Sequence, residues 1–156
     1  MVSHLTLNEA LRDHPFTAGL SDVQLDGLVK LATEVIFEED DVILIDGERS
    51  TSFYLLLTGS VVVELSAPRR YAMCVESLGP GKVFGWSALL DGQDTLFQVR
   101  ARERTTALKI DGAALKQRCF DDPSLGTALL HRLLGVVAGR VKATETRFAE
   151  MCGVRV

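Results

Sequence analysis

From residue 35 onward the sequence breaks into short apolar or alternating runs, and this pattern constrains the fold more than any other feature of the chain. Asp, Gly, Ser and Pro separate the runs at intervals of about eight to twelve residues, which is typical of a β-sandwich or roll. The stretch 99–110 continues the same pattern. We therefore expect an antiparallel β-roll (a double-stranded β-helix or jelly roll) over residues 35–110, with strands at 35–37, 42–45, 53–57, 61–65 and 71–78.

Helical patterns precede the roll in residues 1–34. Ser21 is a good N-cap, and Gln24 three positions later completes a capping box, so a helix is predicted to begin there. We expect these N-terminal helices to pack on the roll. The apolar stripe of the capped helix is predicted to consist of Val23, Leu28 and Leu31, with Leu25 and Ala32 beside it.

A second helical region, residues 111–152, follows the roll and completes an α+β fold in a single domain. Residues 113–120 form a short helix, and Pro123 begins a long one that runs to about Cys152. Two interpretations of the long helix stay open, a core helix or a parallel helix pair across a two-fold axis, and both can hold along different lengths of the same helix. The residues predicted to face the second copy in a homodimer are Leu129, Leu133, Val137, Val141 and Phe148.

Composition excludes several classes of protein. With 156 residues the chain suits a single domain, and its net charge of −4 argues against a protein that coats nucleic acid. No apolar run is long enough to cross a membrane, and the N-terminus has no secretory signal. The three cysteines are far apart and odd in number, which fits a reduced, cytoplasmic protein better than a disulfide framework.

The stretch 78–101 has a layout that favours binding of an anion. A short strand ends at Phe84, Gly85 turns the chain, and residues 86–90 form one helical turn before a second strand begins near Leu96. Unpaired backbone N–H groups at such a turn attract negative charge. Taken alone, however, a glycine turn in a β-protein is more often only a turn.

Four motifs occur in a fixed order along the chain: IDGE at 45–48, YLLLTGSV at 54–61, LGPGKVFG at 78–85 and VRA at 99–101. As a set they resemble the cyclic-nucleotide-binding domain, the sensor module of the catabolite activator protein, of cyclic-nucleotide-dependent kinases and of gated channels. The glycines suit corners of the roll, where close backbone approach excludes a side chain. The resemblance covers roughly residues 16–151. It implies a regulatory sensor that takes a cyclic nucleotide or another small anion as ligand and has no other cofactor.

In that family the segment after the Phe-Gly pair is a phosphate-binding cassette with two polar anchors. A Glu directly after the glycine binds the ribose, and an Arg about ten residues later binds the cyclic phosphate. This sequence has Trp86 and Thr95 at those positions, and no Arg or Lys lies between Lys82 and Arg100. The resemblance implies a ligand site made of cassette residues Gly85, Trp86, Ser87, Ala88, Leu89, Thr95 and Leu96, with Thr144 and Glu145 of the long helix as the lid over the base.

Loss of both anchors predicts weak or absent cyclic nucleotide binding. An Arg–phosphate hydrogen bond contributes roughly 1.5–3 kcal/mol and a ribose hydrogen bond about 1 kcal/mol, so their loss costs roughly 3–4 kcal/mol, or several hundredfold in affinity. Trp86 then either stacks on a ligand or plugs the empty pocket. We expect a stand-alone sensor domain that signals through its C-terminal helix to an unidentified partner protein. The alternative is a ligand-free dimeric scaffold for protein–protein interaction.

The sequence carries no signal for catalysis, metal binding or DNA recognition. His4, His14 and His131 are scattered and match no metal-binding spacing, and no nucleophile elbow or Walker loop is present. We therefore predict that the protein is not an enzyme and has no metal site. Only residues 153–156 follow the long helix, too few for a DNA recognition helix, so we also expect no direct DNA contact.

Overall fold

Two four-stranded antiparallel sheets face each other in the computed structural model, which describes residues 4–66, 72–91 and 97–155. The sheet orders are β1-β8-β3-β6 and β2-β7-β4-β5, so strands distant in sequence become neighbours. The predicted β-roll is confirmed. Its strands are β1 (Ala32–Phe37), β2 (Val42–Leu44), β3 (Ser52–Thr58), β4 (Val61–Ser66), β5 (Ala72–Leu78), β6 (Val83–Phe84), β7 (Gln98–Ala101) and β8 (Thr105–Asp111).

Helices pack on the outer face of one sheet and complete the predicted α+β class. The last of them, α4, has 29 residues, which corresponds to a length of about 43 Å. Two 3₁₀ turns occupy Pro15–Thr17 and Trp86–Leu89. The α-helices are α1 (His4–Asp13) and α2 (Asp22–Val29) before the roll, and α3 (Gly112–Asp121) and α4 (Pro123–Met151) after it.

Side chains of β3 alternate between two cores. Tyr54 and Leu56 point between the sheets, where they pack with residues of the second sheet such as Val63. Phe53 and Leu55 point to the opposite face, which the helices cover. Because successive residues of a strand face opposite sides, a strand buried on both faces has an unbroken apolar sequence. The roll therefore has an interior core and an exterior core that it shares with the helices.

The start of α2 matches the prediction, but its apolar stripe does not. Ser21 and Gln24 form the expected capping box, with both reciprocal hydrogen bonds present. Val23, however, is 74% exposed. The helix has only eight residues before the chain continues into β1, so Leu25 and Leu28 form its buried face.

The first half of α4 packs against the chain's own core. Leu125, Leu129 and Leu133 are four residues apart and therefore share one helix face, which is buried. Gly126 lies where an added Cβ would meet the Cys119 carbonyl oxygen at 2.5 Å, so a glycine is needed for α3 and α4 to pack this closely. The prediction that Leu129 and Leu133 form a dimer interface is wrong, because both side chains point inward onto the roll.

The described ranges contain no helix with the length and hydropathy required to cross a membrane. Cys74, Cys119 and Cys152 are free thiols. The second half of α4 extends past the exterior core, and the space between it and the roll holds the candidate site.

Candidate ligand-binding cavity

A cavity of about 580 Å³ lies between α4 and the roll. A volume of this size is typical of small-molecule sites. Strands and loops of the roll form one wall, and the second half of α4 forms the other. The wall from the roll is apolar and consists of Leu44, Val63, Phe84, Phe97 and Val99.

Gly85 sets the corner where the roll meets the Trp86–Leu89 turn. Its φ is +81°, a left-handed conformation that glycine adopts without strain. An added Cβ would lie 2.5 Å from the Ser52 carbonyl oxygen of β3 and 3.3 Å from the Tyr54 ring. Glycine at this position therefore lets the turn lie directly on β3, as the strand–glycine–turn pattern predicts.

The turn satisfies part of its own backbone, which reduces the expected anion binding. The Ala88 N–H donates to the Gly85 carbonyl at 3.0 Å, and the Leu90 N–H donates to the Ser87 carbonyl at 3.1 Å. The amide of Ala88, one of those expected to face an anion, is thus engaged within the turn. A single 3₁₀ turn of four residues makes a weak anion site compared with the start of a long helix.

Trp86 forms part of the cavity wall and does not fill the cavity. Its half-buried indole packs against the exterior core, and the cavity remains open beside it. The interpretation of Trp86 as a plug is therefore wrong. An indole exposed to a cavity offers an aromatic face to whatever binds there.

The other cassette residues divide between the cavity and its surroundings. Ser87 lines the cavity, whereas Leu89 lines a second cavity on the other side of the turn. Ala88 contacts α3, where its carbonyl oxygen would lie 2.6 Å from a Cβ placed on Gly112. Thr95 and Leu96, predicted at the site, lie outside the described residues.

The second half of α4 supplies the opposite wall. Thr144 and Glu145, predicted as the lid over a base, both line the cavity. The Thr144 hydroxyl donates to the Arg140 carbonyl of its own helix at 2.9 Å. The apolar lining residues on this helix are Val137, Val141 and Phe148, three of those predicted to face a second copy.

Arg140 is a cavity-lining cation that the sequence reasoning missed. It lines the cavity, its side chain is 12% exposed, and its Nε donates to Glu76 Oε2 of β5 at 2.7 Å. The family resemblance places the phosphate-binding cation between Lys82 and Arg100, whereas Arg140 lies on α4. Its position four residues before Thr144 places it on the same helix face, which was the available signal.

Charge in the cavity does not favour an anion. Arg140 is the one cation among the lining residues that the structure describes, and Glu76 already neutralises it. Glu145 adds a negative charge at the edge of the cavity. A bound phosphate would therefore have to share Arg140 with a carboxylate and lie near a second carboxylate.

A line of mainly apolar side chains, here named the α4 seam, runs along the long helix. Its members are spaced alternately four and three residues apart, which is the pattern of a two-stranded coiled coil. Most of them are exposed, and four of them also line the cavity: Val137, Val141, Thr144 and Phe148. The seam comprises Leu130, Leu134, Val137, Val141, Thr144, Phe148 and Met151.

The second cavity, of about 360 Å³, lies between α3, the start of α4 and the exterior core. It is mainly apolar, and Leu130 and Phe120 lie at its exposed side. Cys119 also lines it, and burial together with nearby Asp122 raises the pKa of its thiol, so the reactive thiolate is disfavoured.

No cluster of His, Cys, Asp and Glu suited to a metal ion occurs within residues 4–66, 72–91 and 97–155. His14 has a structural position: it is buried, its Nε2 lies 3.0 Å from the Leu56 carbonyl, and its Nδ1 accepts a hydrogen bond from the Phe16 N–H. Burial lowers the pKa of His14, so the ring is neutral, with the proton on Nε2.

Comparison with known proteins identifies relatives of the same architecture. A "CRP-like cAMP-activated global transcriptional regulator" of Mycobacterium tuberculosis is 22% identical over 145 residues, 93% of this chain and 63% of the relative. The chain thus spans less than two thirds of the length of that relative.

Two solved structures illustrate the shared fold. A cyclic nucleotide-binding domain from Methylobacillus flagellatus has a TM-score of 0.77 at 22% identity, with 95% of this chain and 83% of the other covered. The regulatory subunit of a cAMP-independent protein kinase A from Trypanosoma brucei, solved as a triple mutant bound to cAMP in the A site, has a TM-score of 0.70 at 20% identity, with coverage of 97% and 54%. One of its three substitutions replaces a threonine by an arginine.

The family model described as "Cyclic nucleotide-binding domain" matches residues 34–122, more than half of the chain. The matched interval begins within β1 and covers β2 to β8, the Trp86–Leu89 turn and α3. The chain belongs to the cyclic nucleotide-binding domain family.

Proposed function

We propose that this chain is a regulatory sensor domain that binds cyclic nucleotides weakly or not at all and signals through α4 to a partner protein. The observation that carries the proposal is the state of the cavity: it is open, it lies between the roll and α4 beside Trp86, and its one described cation is paired with Glu76. The fold and the cavity support a sensor, and the charge distribution supports a change of ligand.

The missing phosphate anchor has a defined energetic cost. A hydrogen bond from an Arg guanidinium to a phosphate contributes roughly 1.5–3 kcal/mol, and neither Trp86 nor Thr95 carries a positive charge that could replace it. Glu76 would compete with the phosphate for Arg140, and Glu145 would repel it. A micromolar affinity for cyclic nucleotide would fall to about the millimolar range.

The position of α4 supports its role as the output element. The same helix is anchored in the exterior core by Leu129, lines the cavity with Val141, and presents the α4 seam. A ligand that contacts both α4 and the roll favours one angle of the helix over others, because it binds the two arrangements with different affinity. A partner that packs on the helix can read this angle.

The α4 seam supports a homodimer as the resting assembly. An apolar stripe with four-three spacing along an exposed helix is normally covered by a second helix. Sedimentation analysis at micromolar protein concentration tests this: we expect a dimer for the wild type and a monomer for Leu134→Asp. Lys142→Asp, at an exposed position off the seam, is the matched control and should remain dimeric. A monomeric wild type would exclude the dimer without touching the proposal about the ligand.

Introducing the two anchor residues tests whether their absence explains weak binding of cyclic nucleotides. We expect Thr95→Arg, alone and combined with Trp86→Glu, to increase the affinity for cAMP measured by calorimetry. For the double variant the increase in affinity should approach several hundredfold, because the phosphate and ribose hydrogen bonds together contribute roughly 3–4 kcal/mol. No gain in either folded variant would contradict the assignment of the anchors.

A ligand-free scaffold is the competing function, and the open cavity does not favour it. If the cavity had no ligand, we would expect side chains to fill it, yet Trp86 lies in the wall. A small molecule that co-purifies with the protein, detected by mass spectrometry after denaturation, would exclude the scaffold. The same dimer state and stability with every ligand tested would favour it.

A further inference from the structure

We propose that the cavity between α4 and the roll binds a neutral, mainly apolar small molecule. This inference rests on the proposed function, because it names the ligand class of the same sensor site. It adds the chemical class of the ligand that takes the place of a cyclic nucleotide in this cavity.

The two walls are apolar where they face each other. On the roll, Leu44 and Phe97 line the cavity and are half-buried. Val141 and Phe148 line it from α4 and are exposed, and the half-buried Trp86 indole forms the side. A sugar phosphate buried among these groups would lose its hydration without hydrogen bonds to replace it, which is unfavourable. An aromatic or aliphatic ligand removes the same surfaces from water and gains their dispersion contacts.

The polar groups of the lining are few and mostly engaged. Arg140 and Glu76 neutralise each other, and the Thr144 hydroxyl bonds to its own helix. Ser87 is buried, and Glu145 lies at the exposed edge. Such a lining offers one or two hydrogen bonds to a ligand and no net positive charge, so a neutral ligand fits it better than an anion does.

The second cavity competes for the same class of ligand and must be separated in any test. It is also apolar, but it is smaller and is lined by residues of the exterior core such as Phe53 and Leu129. The chain provides a matched pair of positions: Val141 lines the larger cavity and is 49% exposed, and Leu130 lines the smaller one and is 64% exposed. Both belong to the α4 seam, so both variants place a charge on the surface proposed for helix pairing.

The test uses two fluorescent probes that share one skeleton. N-phenyl-1-naphthylamine is neutral, and 1-anilinonaphthalene-8-sulfonate carries a sulfonate on the same rings. Trp86 is the single tryptophan of the chain, so energy transfer from it to the probe reports on this region. With the full chain we expect the neutral probe to bind at least tenfold more tightly than the anionic one. We expect Val141→Asp to weaken its binding at least tenfold and Leu130→Asp to leave it within twofold of wild type.

Each outcome decides the proposal. Equal or tighter binding of the sulfonate overturns the neutral ligand class, and so does no binding of the neutral probe. Loss of binding in Leu130→Asp, or no loss in Val141→Asp, overturns the assignment to this cavity. Phe148→Asp, at a second exposed lining position, replaces Val141→Asp if that variant is not folded by circular dichroism. Micromolar binding of cAMP to the wild type would instead contradict the proposed function, and it is measured separately.

Discussion

Replacing Gly85 by alanine tests whether close contact between the Trp86–Leu89 turn and β3 holds the cavity wall in place. An added Cβ would lie 2.5 Å from the Ser52 carbonyl oxygen, and the φ of Gly85 is +81°. Gly47 has a similar φ of +77° but no atom within 4 Å of its added Cβ. Gly47→Ala therefore carries the backbone strain without the contact, and the pair of variants separates the two effects.

The expected losses of unfolding free energy differ between the two variants. A left-handed alanine costs roughly 1–2 kcal/mol, and the less flexible unfolded chain offsets about 0.4–1 kcal/mol of it, so Gly47→Ala should lose about 1 kcal/mol. Gly85→Ala adds an overpacking cost of about 1–3 kcal/mol, because the carbonyl of Ser52 belongs to β3 and cannot move freely. Its total loss should be about 2–4 kcal/mol.

Urea denaturation followed by circular dichroism measures both losses. Calorimetry with the neutral probe on the same samples shows whether the cavity wall has moved, and we expect weaker binding only in Gly85→Ala. Equal losses of stability for the two variants would refute the close contact, and unchanged probe binding in Gly85→Ala would refute its role in the wall.

Three further changes have expected outcomes. Burial lowers the pKa of His14, so as pH falls the unfolded chain binds this proton before the folded chain does. The free energy of unfolding should therefore fall by up to about 1.4 kcal/mol per pH unit below about pH 6.5. In urea denaturation, His14→Gln should abolish this dependence on pH. Hydrogen bonds from Arg100 lower the pKa of Glu64. The pair therefore contributes to the free energy of unfolding above the ordinary carboxyl pKa, and this contribution is lost as pH falls through the lower pKa of the folded state. In that acid range the unfolding free energy of Glu64→Gln should depend less on pH than that of the wild type, and an identical pH dependence would contradict the pairing. Glu76→Gln removes the carboxylate that pairs with Arg140. The affinity for cAMP measured by calorimetry should then rise about tenfold or more, while the neutral probe binds as before. Unchanged cAMP affinity would mean that Arg140 does not face the ligand.

Much of the fold was predictable because its signals are local. The short apolar runs fix the strands, and a glycine such as Gly85 marks a corner that other residues cannot form. The Ser21 cap likewise depends on residues three positions apart. The wrong placement of Val23 has a different origin: the buried face of a short helix depends on where the chain goes next.

The register of α4 was not predictable from its sequence. Leu129 and Leu130 are adjacent and equally apolar, yet the first is buried in the core and the second is exposed on the seam. Successive helix residues are about 100° apart, so the choice between them is made by the packing of the whole helix on the roll.

The chemistry of the site was predictable only for residues that lie within one continuous stretch of the sequence. The sequence shows Trp86 and Thr95 where the family resemblance expects the two anchors, but it does not show the cation from α4, because Arg140 reaches the cavity through the tertiary fold. Its neutralisation by Glu76 depends on a contact across 64 residues. Long-range pairs of this kind leave no local pattern in a single sequence.

The most direct measurement of the central claim is a nuclear magnetic resonance titration of the Trp86 indole with cAMP. The chain has one tryptophan, so one indole N–H resonance reports from the cavity wall. We expect its shift to change only at about millimolar cAMP, in line with a cavity whose one cation among the described lining residues is paired with Glu76. A shift that saturates at micromolar cAMP would contradict the claim that this cavity has lost its phosphate chemistry.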